Sequence, residues 1–296
     1  MRRSIITVLL LVLASTGAGA QDTARFSVQL VAPGIHMLVE PSGGNVGLSV
    51  GPDGVFMIDD HLKELSARLL EAVRSITPRP VRMLINTHFH FDHASGNEPL
   101  GETGAIIVAH DNVRRRLNAD QFYEAFDFTQ KRTAHPGLPV ITFASDVTFH
   151  LNGDEIHAFH VRNAHTDGDA VVYFRNANII HTGDIFFNGT YPFIDLAMGG
   201  SIDGMISAVN RLVDLATEDT RIIPGHGPLA DRAALVRYRD ALVGTRDAVR
   251  AAMAGNRTLE QVKAAKPTAA WDEHWGAGFV TPDAYVETLY RSLSKP

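Results

Sequence analysis

Cysteine is absent from all 296 residues. No disulfide can therefore contribute to stability, and no thiolate is available to bind a metal; an oxidising compartment tolerates such a chain without requiring it. Long apolar runs are also missing. The most apolar stretch covers residues 5–14, well short of the roughly 20 residues a membrane-spanning helix needs. There is no basic run either, and the formal net charge is −6. An acidic surface without clustered Lys and Arg argues against a nucleic-acid partner. Linkers, low-complexity tracts and short-period repeats are absent, so nothing divides the chain.

The N-terminus has the layout of an export signal. Arg2 and Arg3 precede the apolar stretch, and Ala18-Gly19-Ala20 supplies the small residues of a cleavage site. The expectation is a signal peptide over 1–20, cleaved after Ala20, and a periplasmic mature protein with no stable membrane anchor. Removing 20 of 296 residues leaves 276, and losing Arg2 and Arg3 moves the charge from −6 to −8. Residues 21–296 are enough for one large core, and the expectation is a single domain.

Against this background one segment stands out: Thr87-His88-Phe89-His90-Phe91-Asp92-His93. Side chains two apart in an extended segment point the same way, so His88 and His90 can grip one ion while Phe89 and Phe91 pack behind them. A turn can aim Asp92 and His93 at a second ion nearby. Three further places offer donors: His165 in Asn163-Ala164-His165-Thr166-Asp167-Gly168-Asp169, Asp184 in His181-Thr182-Gly183-Asp184, and His226 in Pro224-Gly225-His226-Gly227. Each adjoins a short apolar run that reads as a strand, and glycine lets the backbone turn there. Imidazole and carboxylate without thiolate suit zinc, and iron or manganese also fit.

These motifs, in this order from Asp59 to His226, resemble the metallo-β-lactamase superfamily. The resemblance implies an α/β fold: a four-layer αββα sandwich, two mixed sheets face to face with helices outside. It implies that His88, His90 and His165 hold a first metal, that Asp92, His93 and His226 hold a second, and that Asp184 bridges them. Asp59, which ends the run Val55-Phe56-Met57-Ile58, would support a ligand histidine from behind. The cofactor implied is a pair of Zn2+ ions.

Apolar runs at 26–31, 35–39, 46–50, 81–85 and 106–109 read as strands in the first half, with a helix over 62–76. In the second half, 147–151 and 156–161 flank Asn152-Gly153 as a hairpin. Strands at 170–174 and 179–181 follow, then helices over 205–215, 231–253, 258–264 and 282–293. Residues 117–145 show less pattern, and their aromatics read either as core or as a wall of the substrate pocket.

The function expected is a metal-dependent hydrolase that opens a cyclic amide or ester, β-lactamase-like or lactonase-like, on a small-molecule substrate. Asp92 is the catalytic candidate. Its carboxylate would orient and deprotonate a metal-bridging hydroxide. The residues after Asp184 contain neither the lysine of some β-lactamases nor the tyrosine of some acyl-homoserine lactonases; Phe187 stands in the latter place. Phe187 and Tyr191 are pocket candidates, and Asp169 either braces the His165 loop or a ligand. The alternatives are a thioesterase of glyoxalase-II type and a non-catalytic metal-binding or redox-relay protein.

Overall fold

A computed structural model of the protein describes residues 25–123 and 127–294; the expected export signal lies outside them. Four antiparallel strands open the fold: β1 (Ser27–Ala32), β2 (Ile35–Val39), β3 (Val46–Gly51) and β4 (Gly54–Ile58). Helix α1 (Ser66–Ile76) crosses to β5 (Val81–Ile85), which runs parallel to β4. Two short helices, α2 (Phe91–Ala94) and α3 (Asn97–Glu102), lead to β6 (Ile106–His110), parallel to β5, and α4 (Asp111–Leu117) follows directly. A hairpin of β7 (Gln121–Tyr123) and β8 (Phe128–Gln130) stands apart, and β9 (Ile141–Phe143) completes a seven-stranded sheet beside β6.

The second sheet has six strands in chain order: β10 (Asp146–Leu151), β11 (Asp154–His160), β12 (Ala170–Phe174), β13 (Ile179–His181), β14 (Arg221–Ile223) and β15 (Ala230–Asp231). Its one parallel pair is β13 with β14, and α5 (Ile202–Leu215) makes that crossover. Helices α6 (Arg232–Ala252), α7 (Leu259–Ala264), α8 (Ala269–Trp275) and α9 (Pro282–Leu293) complete the described chain.

Side-chain alternation builds the layers. Along β4, Phe56 and Ile58 point to one face, where they join Phe149, Ile156 and Val172 of the second sheet. Val55 and Met57 point the other way, onto Leu69 and Val73 of α1. A strand covered on both faces must be apolar throughout, which is why the run 55–58 does not alternate with polar residues. The outer face of the second sheet, through Val171, Ile180 and Ile222, packs against Val209, Leu235 and Leu289 of α5, α6 and α9. The order from outside to outside is therefore helix, sheet, sheet, helix, the αββα sandwich expected.

Capping sharpens the helix limits. Asp231 accepts a hydrogen bond from Ala234 N, so α6 begins one residue later than the hydrophobic pattern suggests. Thr258 and Gln261 form a reciprocal capping box on α7. Ser201 caps α5, starting it before the expected residue 205. Residues 117–145 hold more order than expected, with a hairpin and an added strand. Helix α8 carries both tryptophans; Trp275 is buried against Tyr238.

What matters for the site is where the strands end. Asp59, the segment 86–93, Asp184 and His226 follow the carboxyl ends of β4, β5, β13 and β14, and His165 sits in the β11–β12 connection. The two sheets are tied together there: Asn45 N donates to Gly225 O at 2.8 Å, and Ala170 N to Thr87 O at 2.7 Å.

Candidate metal centre

Four rings at this edge, those of His88, His90, His93 and His165, are each oriented by a bond on the far nitrogen. Asp59 accepts from Thr87 N and Thr87 Oγ1, both at 2.7 Å, and lies 2.8 Å from His93 Nδ1. The Thr87 hydroxyl has one proton, and it goes to Asp59. At 3.1 Å from His88 Nδ1 the hydroxyl can then only accept, which puts the ring proton on Nδ1. His88 Nε2 is left buried with no hydrogen-bond partner. His165 Nδ1 donates to Phe193 O at 2.7 Å, so its Nε2 also faces inward. His90 is turned the other way: Nε2 meets Asp195 Oδ2 at 3.1 Å, and Nδ1 points inward.

The inward atoms form two groups. In the first, His165 Nε2 is 2.8 Å from His90 Nδ1 and 3.4 Å from Asp184 Oδ2, and His88 Nε2 is 3.8 Å from the same oxygen. In the second, His226 Nε2 is 3.3 Å from both His93 Nε2 and Asp92 Oδ2, and 3.4 Å from Asp184 Oδ1. His93 Nε2 is 3.0 Å from Asp184 Oδ1. Donors sharing one tetrahedral ion with bonds of about 2.0–2.1 Å stand about 3.3 Å apart, so both groups fit a divalent metal. The two oxygens of Asp184 are divided between them.

Local backbone makes room for this. Asp184 sits in a 3₁₀ turn entered through Gly183 at φ +51°. A Cβ at Gly225 would collide with Asp184 Oδ1, and one at Gly44 would collide with the His93 ring. Asp169 holds the His165 loop, its Oδ2 accepting from His165 N at 2.7 Å and Thr166 N at 2.8 Å.

Charge separates the groups. Burial, reinforced by His93, His165 and His90, takes His88 well below the ordinary histidine range against the pull of Asp184. Burial also takes His165 down to about 4. Burial opposes protonation of His93 as well, but Asp184, Asp92 and Asp59 outweigh it and hold the ring well above its usual value. His226 is likewise lowered by burial yet carried to about 9 by Asp184 and Asp92. For Asp92 and Asp184 burial pushes upward, and His93 and His226 bring both below the carboxylate range.

All seven residues expected to bind metal thus meet in two groups, with Asp59 behind His93 and His88. Phe187 and Tyr191 both line the adjoining cavity. Phe187 stacks on the His226 ring at 5.0 Å. The Tyr191 hydroxyl, however, donates to Asp272 Oδ1 at 2.8 Å, away from the donors. Phe91 and Tyr123 line the cavity too, so part of the 117–145 segment is a pocket wall. Asp195 and the Phe193 carbonyl carry no signal in the sequence, and Thr87, which opens the histidine-rich segment, has no role assigned there. Asp195 follows Pro192-Phe193-Ile194, which carries no ligand signature.

Residues 39–226 match the family model of the metallo-beta-lactamase superfamily. The probable metallo-hydrolase YqgX of Bacillus subtilis is 26% identical over 202 residues, 66% of this chain and 90% of the relative. A hydroxyacylglutathione hydrolase of Pelagibacter ubique is 26% identical over 150 residues, 49% of this chain and 52% of the relative. Among solved structures, a metallo-beta-lactamase from Pontibacter korlensis superposes with a TM-score of 0.60 at 20% identity, covering 74% of this chain and 99% of that one. The matched span encloses every residue of the two donor groups, and the chain belongs to the metallo-beta-lactamase superfamily.

Proposed function

We propose that this is an exported dizinc hydrolase that opens a cyclic amide or ester, a β-lactam or a lactone. The observation that carries the reading is the division of Asp184, with Oδ2 toward His88 and His165 and Oδ1 toward His93 and His226. A carboxylate so placed suits two cations held side by side. Bound zinc would supply Lewis acidity and bring the pKa of water toward about 7.

The remaining work falls to the chain. Asp92 lies at the cavity floor, partly exposed, with its Oδ2 beside His226 and His93. There it can orient the attacking water and carry a proton to the leaving group. Asp59 and Asp195 keep His93 and His90 in the tautomers that face the ions. Phe187, Phe91 and Tyr123 exclude bulk water from the reacting carbonyl. No serine or cysteine nucleophile is required.

The test uses the mature chain from Gln21, stripped and reloaded with zinc, on nitrocefin, a homoserine lactone and a thioester. Hydrolysis of a lactam or lactone that is lost on stripping and restored by zinc is the expected result. Two bound zinc ions with no turnover of any of the three would instead favour a binding protein.

A further inference from the structure

The cavity over the donors has a volume of about 770 Å³, enough for a drug-sized ligand. Its walls are mainly apolar, with Met37, Val39, Phe91, Tyr123, Phe187 and Phe193 around the floor. The charged side chains that line it are all acidic or imidazole: Glu40, Asp92 and Asp184, with His90 and His226. No lysine or arginine lines it among the described residues.

Glu40 is the one of these acids that no donor group claims. It directly follows Val39, the last residue of β2, on the cavity wall. Its Oε2 accepts from Ser42 N at 2.9 Å and from the Ser42 hydroxyl. The other neighbour is His61, whose Nε2 is 3.1 Å from Glu40 O and 3.6 Å from Oε2. Burial is the main influence on that ring and lowers its pKa, so His61 is a neutral donor. Among the described residues no Lys or Arg pairs with Glu40. Its charge therefore acts on whatever enters.

We propose that the cavity selects an ester or lactone with an uncharged apolar acyl group, and that Glu40 is a specificity residue that repels substrates bearing a second, anionic group. This rests on the hydrolase reading above. The reacting carbonyl would occupy the floor, where the two donor groups would hold the ions, so a carboxylate elsewhere on the substrate must lie along the wall. There it meets Glu40 and aromatic carbon and, among the described residues, finds no lysine or arginine to pair with, a rejection by repulsion and desolvation. A glutathione-type thioester and a carboxylate-bearing β-lactam are both disfavoured.

The test compares para-nitrophenyl butyrate with mono-para-nitrophenyl succinate, which replaces the terminal methyl by a carboxylate, on the zinc-loaded mature chain. The expected kcat/KM ratio favours butyrate by about thirtyfold or more, shrinking as ionic strength rises. In Glu40→Gln the ratio falls about tenfold, through the KM of the succinate ester, while Glu40→Asp, which keeps the charge, retains it. A wild-type ratio near unity, or the same ratio in Glu40→Gln, overturns the proposal. If neither ester is cleaved, the hydrolase reading is judged on the lactam, lactone and thioester above, and calorimetric binding of butyranilide and succinanilic acid decides charge selection. Weaker binding of the acid, relieved in Glu40→Gln, sustains charge selection. Equal affinities, or no binding of either, overturn it.

Discussion

The two donor groups share one carboxylate and differ in charge and in how far their side chains reach the cavity, although His93 of the second is as buried and as firmly held, by Asp59, as any ring of the first. His88, His90 and His165 are buried, and each has its outer nitrogen committed to a fixed partner, Thr87, Asp195 or Phe193 O. Asp92 and His226 reach the cavity, with side chains 18% and 30% exposed. His88 and His165 are disposed to be neutral, whereas His93 and His226 hold protons against Asp92 and Asp184. The first group is therefore prepared for a cation. The second must give up protons to take one, and it opens on the space where substrate sits. On the dizinc reading, an ion in the first group would be the more firmly held, and one in the second would exchange more readily and lie closer to the cavity.

Changing the shared carboxylate should have the largest effect. Asp184→Asn is expected to keep the fold, lose the second ion at low free zinc, and reduce hydrolysis by about a hundredfold or more. Unchanged metal stoichiometry by elemental analysis would break the bridge. His90→Ala comes next and removes an anchor of the first group, lowering metal content and turnover together; a normal rate with one fewer ion would show that the first ion is dispensable. Smaller again is Asp195→Asn. It should weaken the first ion about 10- to 100-fold in chelator competition and leave the second nearly unchanged. Equal loss at both would mean that the groups are not separable.

The mildest effect concerns pH in the metal-stripped protein. His226 is raised in the fold, so the stability it contributes is complete below its unfolded value of about 6.5 and is lost as pH rises through about 9. His165, held at about 4, gives the opposite slope in the acid, where stability falls as pH drops from about 6.5 toward 4. Bound zinc removes the protons from His226, so the gap in melting temperature between loaded and stripped protein should widen from pH 6.5 to 9. A constant gap would contradict the assignment of charge to the second group.

Most of the donor set was legible because it follows local rules. The His88–His93 run is dense, and the other donors sit at glycine-marked ends of apolar runs. Strands that are apolar throughout, such as 55–58, mark a mixed α/β domain with buried sheet, but the four layers came only from the family resemblance. Asp195 was not legible, because its partner His90 is 105 positions away and only tertiary packing brings them together. Glu40 precedes a proline and reads as a turn residue until β2 places it on the cavity wall. The β7–β8 hairpin and α8 are too short for periodicity to show. Tyr191 was visible as a pocket residue, but the sequence could not show that Asp272 takes its hydroxyl.

The most direct measurement is anomalous diffraction at the zinc edge from crystals of the mature protein loaded with zinc. Two peaks are predicted, one among His88, His90, His165 and Asp184 Oδ2, the other among Asp92, His93, His226 and Asp184 Oδ1. A single peak, or peaks from which Asp184 is turned away, would contradict the central claim.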